Sequence, residues 1–339
     1  MDWLSRLFEL IPVQGRVDLR CLYGAPWRIE QGPAATGEMP YHAVVAGTAI
    51  LEAPGSGQRR LLPGDILLLP HGDFHVLHDG AGAAPNPAHN RDALNVTFSE
   101  NAGTGERFDL LCGHFAFAAQ HHHLLQSYLP RVLVVQTAGR SASGDASTAQ
   151  AGNGARLAGL VSLMRIESAA DNLGGRAMLN ALSTAMFTLI VRLSSEAGEA
   201  PQGLLALAGY PRLAPALAVL FREPARPWSL PELAKLCNMS RATLARHFQE
   251  KLGKSASDLL TDIRMTLAAN ELKKSSASTA AVAEAVGYQS EAAFQRVFKQ
   301  RMGMTPARWR RAEQVPDSTR AFGQEIHQPT ADMRPVARK

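Results

Sequence analysis

The most constraining feature of the sequence is an internal repeat near its carboxyl end. Residues 239–248 (MSRATLARHF) align with residues 289–298 (QSEAAFQRVF) at an offset of 50. The offset keeps the apolar positions in register, since Leu244 and Phe248 correspond to Phe294 and Phe298. A duplication of this kind predicts two copies of one supersecondary unit.

Each copy contains the parts of a helix-turn-helix, namely a short helix, a tight turn and a second helix that begins at an N-cap serine. The first copy predicts a helix at 230–236 and an N-cap at Ser240. The second copy predicts a helix at 282–286 and an N-cap at Ser290. A helix at 256–274 would set the separation of the two units, and a spacing of about 34 Å would let their second helices enter successive major grooves of DNA.

Basic charge concentrates in the same part of the chain. Residues 212–313 contain 17 Lys and Arg against 9 Asp and Glu, a surplus of 8, whereas the remainder has 18 against 21. A cationic segment on a slightly acidic body indicates a polyanionic partner. On the outward faces of the second helices we expect contacts to bases or phosphates from nine side chains: Ser240, Arg241, Thr243, Arg246, Ser290, Glu291, Gln295, Arg296 and Lys299.

The second copy also carries a specific pattern of small, aromatic and turn residues, namely Ala283, Gly287-Tyr288, Phe294, Phe298, Gly303 and Thr305-Pro306. On these residues the segment 233–310 resembles the DNA-binding domain of AraC/XylS transcription regulators. The resemblance implies an all-α domain at 210–313 that binds double-stranded DNA, with RNA polymerase as a further partner if the protein is an activator. The sequence has no apolar stretch of membrane-spanning length and no apparent secretion signal, so we expect a cytoplasmic protein without membrane contact.

The amino-terminal half has a different pattern, with short β-prone runs broken by Gly and Pro between residues 17 and 137. This predicts a β-sandwich or small barrel at 1–140, with a mobile loop at 80–107. A Gly- and Ser-rich linker follows at 141–154, then a helical hairpin at 155–199 that could pack on its own β-domain or pair with a second subunit in a homodimer. The tail at 316–339 is expected to be disordered.

Residues 64–79 contain Gly64, Pro70, Gly72, His75 and Asp79 at a spacing that resembles the second cupin motif. The fold class is therefore predicted as α+β multidomain, with an amino-terminal cupin-like β-domain and helical hairpin and a carboxyl-terminal all-α double helix-turn-helix domain. The preceding hairpin offers only His42, so the full ligand set of metal-binding cupins is missing. A reduced zinc or copper site from His42, His75, Cys112 and His114 is one hypothesis, and a His75 that merely hydrogen-bonds its own turn is the other. No cofactor is required by either.

The three cysteines are Cys21, Cys112 and Cys237, too few and too scattered for a disulfide framework. Three features mark the first 140 residues: the opening Met1-Asp2-x-Leu4-Ser5-Arg6-Leu7, Cys21 with Gly24 and Trp27, and Cys112-Gly113. Through these features the segment resembles the cupin-containing branch of AraC-type regulators that respond to reactive chlorine. That resemblance implies oxidant sensing at Cys21 and Cys112. His114 is expected to lower the pKa of the Cys112 thiol, and Cys237 to be a buried apolar residue.

Three function classes follow from these features. The first is a DNA-binding regulator, expected to be an activator, that is controlled by cysteine oxidation or by metal. The second is a regulator that responds to a small molecule and has inert cysteines. The third, a metal-dependent cupin enzyme, is disfavoured because the ligand set is incomplete and a DNA-binding domain is fused to it, so no enzymatic activity is expected. The histidines at 121–123 are predicted to lie in a solvated loop.

Overall fold

The computed structural model describes residues 2–55, 57–137, 148–196, 203–274 and 276–312. Within these ranges the strands lie in the amino-terminal part and form two sheets. The strands are β1 (Val13–Gly24), β2 (Arg28–Gln31), β3 (Glu38–Ala46), β4 (Ala49–Ala53), β5 (Gly57–Leu61), β6 (Asp65–Leu68), β7 (His75–His78), β8 (Ala88–Asp92), β9 (Thr97–Asn101), β10 (Arg107–Phe117) and β11 (Leu133–Gln136).

The larger sheet has seven strands in the order β11-β6-β3-β10-β1-β9-β8, and the smaller has four in the order β2-β7-β4-β5. Apolar side chains from both sheets meet in one core, which contains Leu51 and Leu77 from the small sheet and Leu110 from the large one. The predicted cupin-like β-domain is confirmed.

Helices cover the other face of the large sheet and form most of the remaining residues that the structure describes. They are α1 (Trp3–Leu10), α2 (His122–Tyr128), α3 (Thr148–Ser168), α4 (Gly175–Glu196), α5 (Leu204–Ala208), α6 (Ala214–Arg222), α7 (Leu230–Leu236), α8 (Arg241–Leu252), α9 (Ala256–Lys274), α10 (Thr279–Ala285), α11 (Glu291–Met302) and α12 (Pro306–Arg311). The predicted all-α domain with two helix-turn-helix units is confirmed. Helix α10 begins three residues before the predicted 282, because Ser278 caps it by accepting a hydrogen bond from the Ala281 backbone.

The hairpin of α3 and α4 packs on its own β-domain through α4. The Gly15 backbone N–H donates to Thr184 Oγ1 at 2.8 Å, and Ser183 Oγ donates to the Tyr41 hydroxyl at 2.9 Å. Helix α4 is long and apolar enough to cross a membrane by length and composition. Its contacts with β1 and β3 explain that apolarity as packing against a sheet.

Two predictions from composition are wrong. The segment 80–107 contains β8 and β9, and β9 pairs in parallel with β1. Strand β8 is mostly exposed and polar, so it has no apolar alternation for a sequence to reveal. The linker predicted at 141–154 is helical from residue 148, where α3 begins, and its residues 141–147 lie outside the described residues, as does the predicted tail at 316–339.

We predict that Gly15→Ala destabilises the protein by about 1–3 kcal/mol, because a Cβ at this position would lie 2.4 Å from both Ser183 Oγ and the Thr184 backbone nitrogen and would push α4 off the sheet. Gly159→Ala on the exposed face of α3 meets nothing within 4 Å and should stabilise by about 0.5–1 kcal/mol. Urea denaturation of both variants checks this. Equal stability of Gly15→Ala and the parent would contradict the close packing of α4.

Candidate DNA interface and sensor site

The second helices of the two units, α8 and α11, are built alike. Ser240 Oγ accepts the Thr243 backbone N–H at 3.1 Å and Ser290 Oγ accepts that of Ala293 at 3.4 Å, which confirms the predicted N-caps. The turns before them use the left-handed backbone, which Asn and Gly tolerate better than other residue types: φ is +50° at Asn238 and +87° at Gly287. Both helices bury the aligned pair of apolar residues and turn the next positions outward.

The nine predicted DNA contacts all lie on α8, on α11 or at their N-caps. Eight of them are exposed and Thr243 is half-buried, as is its counterpart position in α11. Lys299 lies one turn beyond Gln295 on the exposed side of α11. Several of these side chains have local partners. Arg246 Nε is 3.8 Å from Glu250 Oε1, Gln295 Nε2 donates to Glu291 Oε1 at 2.8 Å, and the Ser240 and Thr243 hydroxyls are 2.9 Å apart. Such exposed pairs contribute little to stability and can exchange for DNA contacts.

A buried carboxylate on α9 joins the β-domain to both helix-turn-helix units. Asp262 is 4% exposed, and its Oδ2 accepts a hydrogen bond of 2.6 Å from the Tyr128 hydroxyl of α2. Its Oδ1 is 3.1 Å from Arg301 Nη1 of α11, and Lys254 Nζ approaches Oδ2 at 3.5 Å. Burial, followed by the nearby Asp262 carboxylate, raises the pKa of Tyr128, so the hydroxyl remains a donor.

A second polar contact lies two turns along the same helix. Asn270 Oδ1 is 2.8 Å from His121 Nε2 and accepts from Gln120 Nε2 at 2.6 Å, while Asn270 Nδ2 donates to the Leu10 carbonyl at 2.9 Å. The prediction of a solvated histidine loop is wrong for His121, which is buried. Its burial lowers the pKa of the imidazole. The sequence could not show this because the partner lies about 150 residues away.

The two predicted redox cysteines meet in the core between the sheets. Cys21 Sγ and Cys112 Sγ are 4.0 Å apart, and both thiols are free and buried. Their strands pair so that Cys21 lies opposite Leu110, which makes the cysteines diagonal neighbours on β1 and β10. Cys237 is also buried, away from this pair, in the first helix-turn-helix unit.

Two histidines extend the cysteine pair into a chain of polar contacts. His42 lies directly opposite Cys112 on β3, and its Nδ1 is 3.1 Å from Cys112 Sγ. His42 Nε2 is 2.7 Å from His75 Nε2, and His75 Nδ1 is 3.1 Å from the Asp73 carbonyl oxygen. This last contact is the turn hydrogen bond that the sequence offered as one reading of His75.

The predicted four-residue metal site is not assembled. His114 Nδ1 lies 2.6 Å from Asp18 Oδ2, because a bulge in β1 between Val17 and Leu19 turns that carboxylate toward it. The described part of the chain contains no group of three or more His, Cys, Asp or Glu side chains arranged to hold a metal ion. A nitrogen–nitrogen distance of 2.7 Å between His42 and His75 is that of a hydrogen bond, and is too short for two ligands of one zinc ion.

The polar groups around the cysteines are neutral. The contact with Cys21, and then burial, raise the pKa of the Cys112 thiol well above its ordinary value. Burial, and then the neighbouring His75, lower the pKa of His42 well below 6.5. The expectation that His114 assists Cys112 is therefore replaced by the contact with His42, which comes from a different strand.

The family model described as Cupin matches residues 2–196, and the one described as Helix-turn-helix domain matches residues 233–312. The HTH-type transcriptional regulator MtrA of Neisseria gonorrhoeae is 30% identical over 317 residues, which cover 92% of this chain and 98% of that protein. The chain belongs to the AraC-type transcription regulators with an amino-terminal cupin domain.

Other relatives of this AraC-type regulator match over similar lengths. The RCS-specific HTH-type transcriptional activator RclR of Escherichia coli K12 is 27% identical over 310 residues, which cover 91% of this chain and 97% of that protein. Among solved structures, the DNA-binding domain of AdpA in complex with a target DNA is 29% identical over 29% of this chain and 89% of that one, with a TM-score of 0.28. ToxT of Vibrio cholerae O395 is 12% identical over 89% and 97%, with a TM-score of 0.34.

Proposed function

We propose that this AraC-type regulator is a cytoplasmic transcription activator whose DNA binding is controlled by oxidation of Cys21 and Cys112. The observation that carries the proposal is the 4.0 Å distance between the two sulfurs in a buried core. Two thiols at this distance can lose two electrons and two protons to form a disulfide if the sulfurs close to about 2.05 Å. The name of the Escherichia coli relative, an RCS-specific activator, supports both parts of the proposal.

The route from the cysteines to the DNA-binding helices runs along β10. Cys112 lies five residues before the end of this strand at Phe117, and a 3₁₀ turn at Ala119–His121 and then α2 follow directly. His121 and Tyr128 are the side chains by which this segment contacts α9 at Asn270 and Asp262. A shift of β10 during disulfide formation would therefore act on the helix that separates the two DNA-binding units.

Partners follow from the same arrangement. Double-stranded DNA is the ligand of α8 and α11, and RNA polymerase is the partner of an activator.

Helix α3 exposes Leu163 and Ile166 while α4 covers the sheet, and we propose that this exposed face pairs with a second copy in a homodimer. The relatives are named as transcription regulators, which supports a role without catalysis.

A second candidate function rests on a separate observation. A half-open cavity of about 290 Å³ is lined by Trp27, Asp79, Arg107 and Phe108, among others. The Trp27 and Phe108 rings stack at 4.2 Å, and both belong to the core that contains the two cysteines. A small organic effector with an aromatic or aliphatic part and one polar group fits this lining, and its binding would replace cysteine oxidation as the signal.

We predict that Arg246→Ala and Arg296→Ala each lower affinity for specific DNA about tenfold or more, because each removes an outward guanidinium from a helix that would read base edges. Arg222→Ala removes the same charge from the exposed end of α6, where Arg222 pairs with Glu223, and serves as the matched control. Fluorescence anisotropy on a site selected from random DNA measures this. Equal losses of DNA affinity in all three variants would show that only the overall positive charge matters and that Arg246 and Arg296 make no specific contacts.

We predict that oxidant changes the DNA affinity of the parent protein and that dithiothreitol reverses the change, whereas Cys21→Ser and Cys112→Ser proteins do not respond, because neither can form the disulfide. Cys237→Ser removes a buried thiol outside the pair and should respond like the parent. Anisotropy before and after mild treatment with hypochlorous acid measures the response. Normal responses of both serine variants would contradict the proposed disulfide switch, and an absent response in the parent would favour the effector cavity instead.

We predict that Tyr128→Phe leaves oxidation of the cysteines intact but shrinks the resulting change in DNA affinity about threefold or more, because α2 loses its hydrogen bond to the buried carboxylate of Asp262. Arg301 and Lys254 still neutralise that carboxylate, so the domain should stay folded. Tyr210→Phe is the control, since the Tyr210 ring packs on His247 of α8. An undiminished response in Tyr128→Phe would place the coupling elsewhere.

A further inference from the structure

The hydrogen-bond chain beside Cys112 ends at the Asp73 carbonyl, and this contact fixes which atom donates and which accepts. The Asp73 carbonyl oxygen can only accept, so the His75 Nδ1 that lies 3.1 Å from it must carry a hydrogen. Burial lowers the pKa of His75, and its ring is therefore neutral. A neutral imidazole with hydrogen on Nδ1 has a lone pair on Nε2.

The remaining protons follow from that end. Because His75 Nε2 accepts, the His42 Nε2 at 2.7 Å donates to it, and neutral His42 then has its lone pair on Nδ1. That lone pair lies 3.1 Å from Cys112 Sγ, so the Cys112 thiol donates to it. Each contact along the chain has one donor and one acceptor, and Cys112 Sγ keeps lone pairs on the side of Cys21, whose sulfur is 4.0 Å away.

We propose that His42 is the base that takes the Cys112 proton when this thiol is oxidised, and that His75, held by the Asp73 carbonyl, is a positioning residue that keeps His42 in the tautomer able to do so. This inference rests on the proposed thiol oxidation. The resting site holds Cys112 as a thiol, and a buried thiol reacts only if its proton has somewhere to go. His42 Nδ1 is an acceptor already in hydrogen-bonding contact with it.

The proposed step balances with hypochlorous acid as the oxidant. As Cys112 sulfur attacks chlorine, an S–Cl bond forms and the Cl–O bond breaks, the thiol proton passes to His42, and hydroxide leaves. Hydroxide takes that proton from His42 and becomes water. Cys21 sulfur then attacks Cys112 sulfur, the S–S bond forms, chloride leaves with the S–Cl electron pair, and the Cys21 proton passes to water. Two thiols and one hypochlorous acid give a disulfide, water, chloride and a proton.

Two substitutions at His75 distinguish a role in orienting His42 from a role in filling space. His75→Gln can place its carbonyl oxygen where Nε2 stood and still accept from His42, whereas His75→Leu fills similar space without an acceptor. We therefore expect His75→Leu to slow oxidation about tenfold and His75→Gln to restore the rate to within about threefold of the parent. Identical rates of the two His75 variants would contradict the positioning role.

His42→Asn tests the base itself, because an amide cannot take the proton. We expect oxidation about tenfold slower or more, with loss of any solvent isotope effect on the rate. His114→Gln is the matched control: it removes another buried histidine from β10, one that contacts Asp18, and its rate should stay within about twofold of the parent. If His42→Asn does not fold, the His75 pair decides.

The experiment follows thiol loss in the full-length protein with monochloramine, a slower electrophilic chlorine donor, in H₂O and in D₂O, by maleimide capture and mass spectrometry. DNA affinity is measured on the same samples. A parent-like rate in folded His42→Asn would overturn the base role and leave the regulatory function standing. Parent thiols that oxidise without any change in DNA affinity would instead overturn the regulatory function and leave the base role intact.

Discussion

The structure depends on the burial of β10 on both of its faces. This strand pairs with β1 on one side and β3 on the other, and its side chains alternate between two cores. Leu110 and Cys112 face the small sheet, while Leu111 and Phe115 face the helices, where the Phe115 ring lies 4.7 Å from that of Phe187 on α4. Because a close-packed strand cannot move on one face alone, a displacement of Cys112 would also displace the side chains on the helical face of β10.

The helical face of β10 is packed in the same apolar core as the first helix-turn-helix unit. The core that contains Phe115 continues without interruption to Leu244 and Phe248 of the first helix-turn-helix unit, whereas the second unit has a core of its own around Phe294. The first unit is thus an extension of the β-domain. The second is connected through α9, which contributes apolar residues to both cores, and through polar contacts such as Asp262 with Arg301. A buried ion pair of this kind is sensitive to geometry.

The cupin motif makes different contacts from those that its residue types suggest. His75 occupies the position of a metal ligand in the motif, but in this chain its two ring nitrogens contact the Asp73 carbonyl and His42. The β-domain keeps the shape of the fold and uses its interior for a polar chain that ends at a thiol pair. Fold resemblance and site chemistry are therefore separate conclusions for this protein.

The sequence by itself determined the features that depend on local interactions. Neighbours within a few residues determine the caps at Ser240 and Ser290, the left-handed turn at Asn238 and the bounds of α9. The caps and the turn occur in both copies of the repeat, so the sequence shows each of them twice. Only the tertiary structure decided which histidine meets Cys112. His114 lies two residues away but contacts Asp18, whose carboxylate a bulge in β1 turns toward it. His42 lies 70 residues away and is brought opposite Cys112 by strand register. Register and bulges arise from the packing of whole sheets, and no local pattern encodes them.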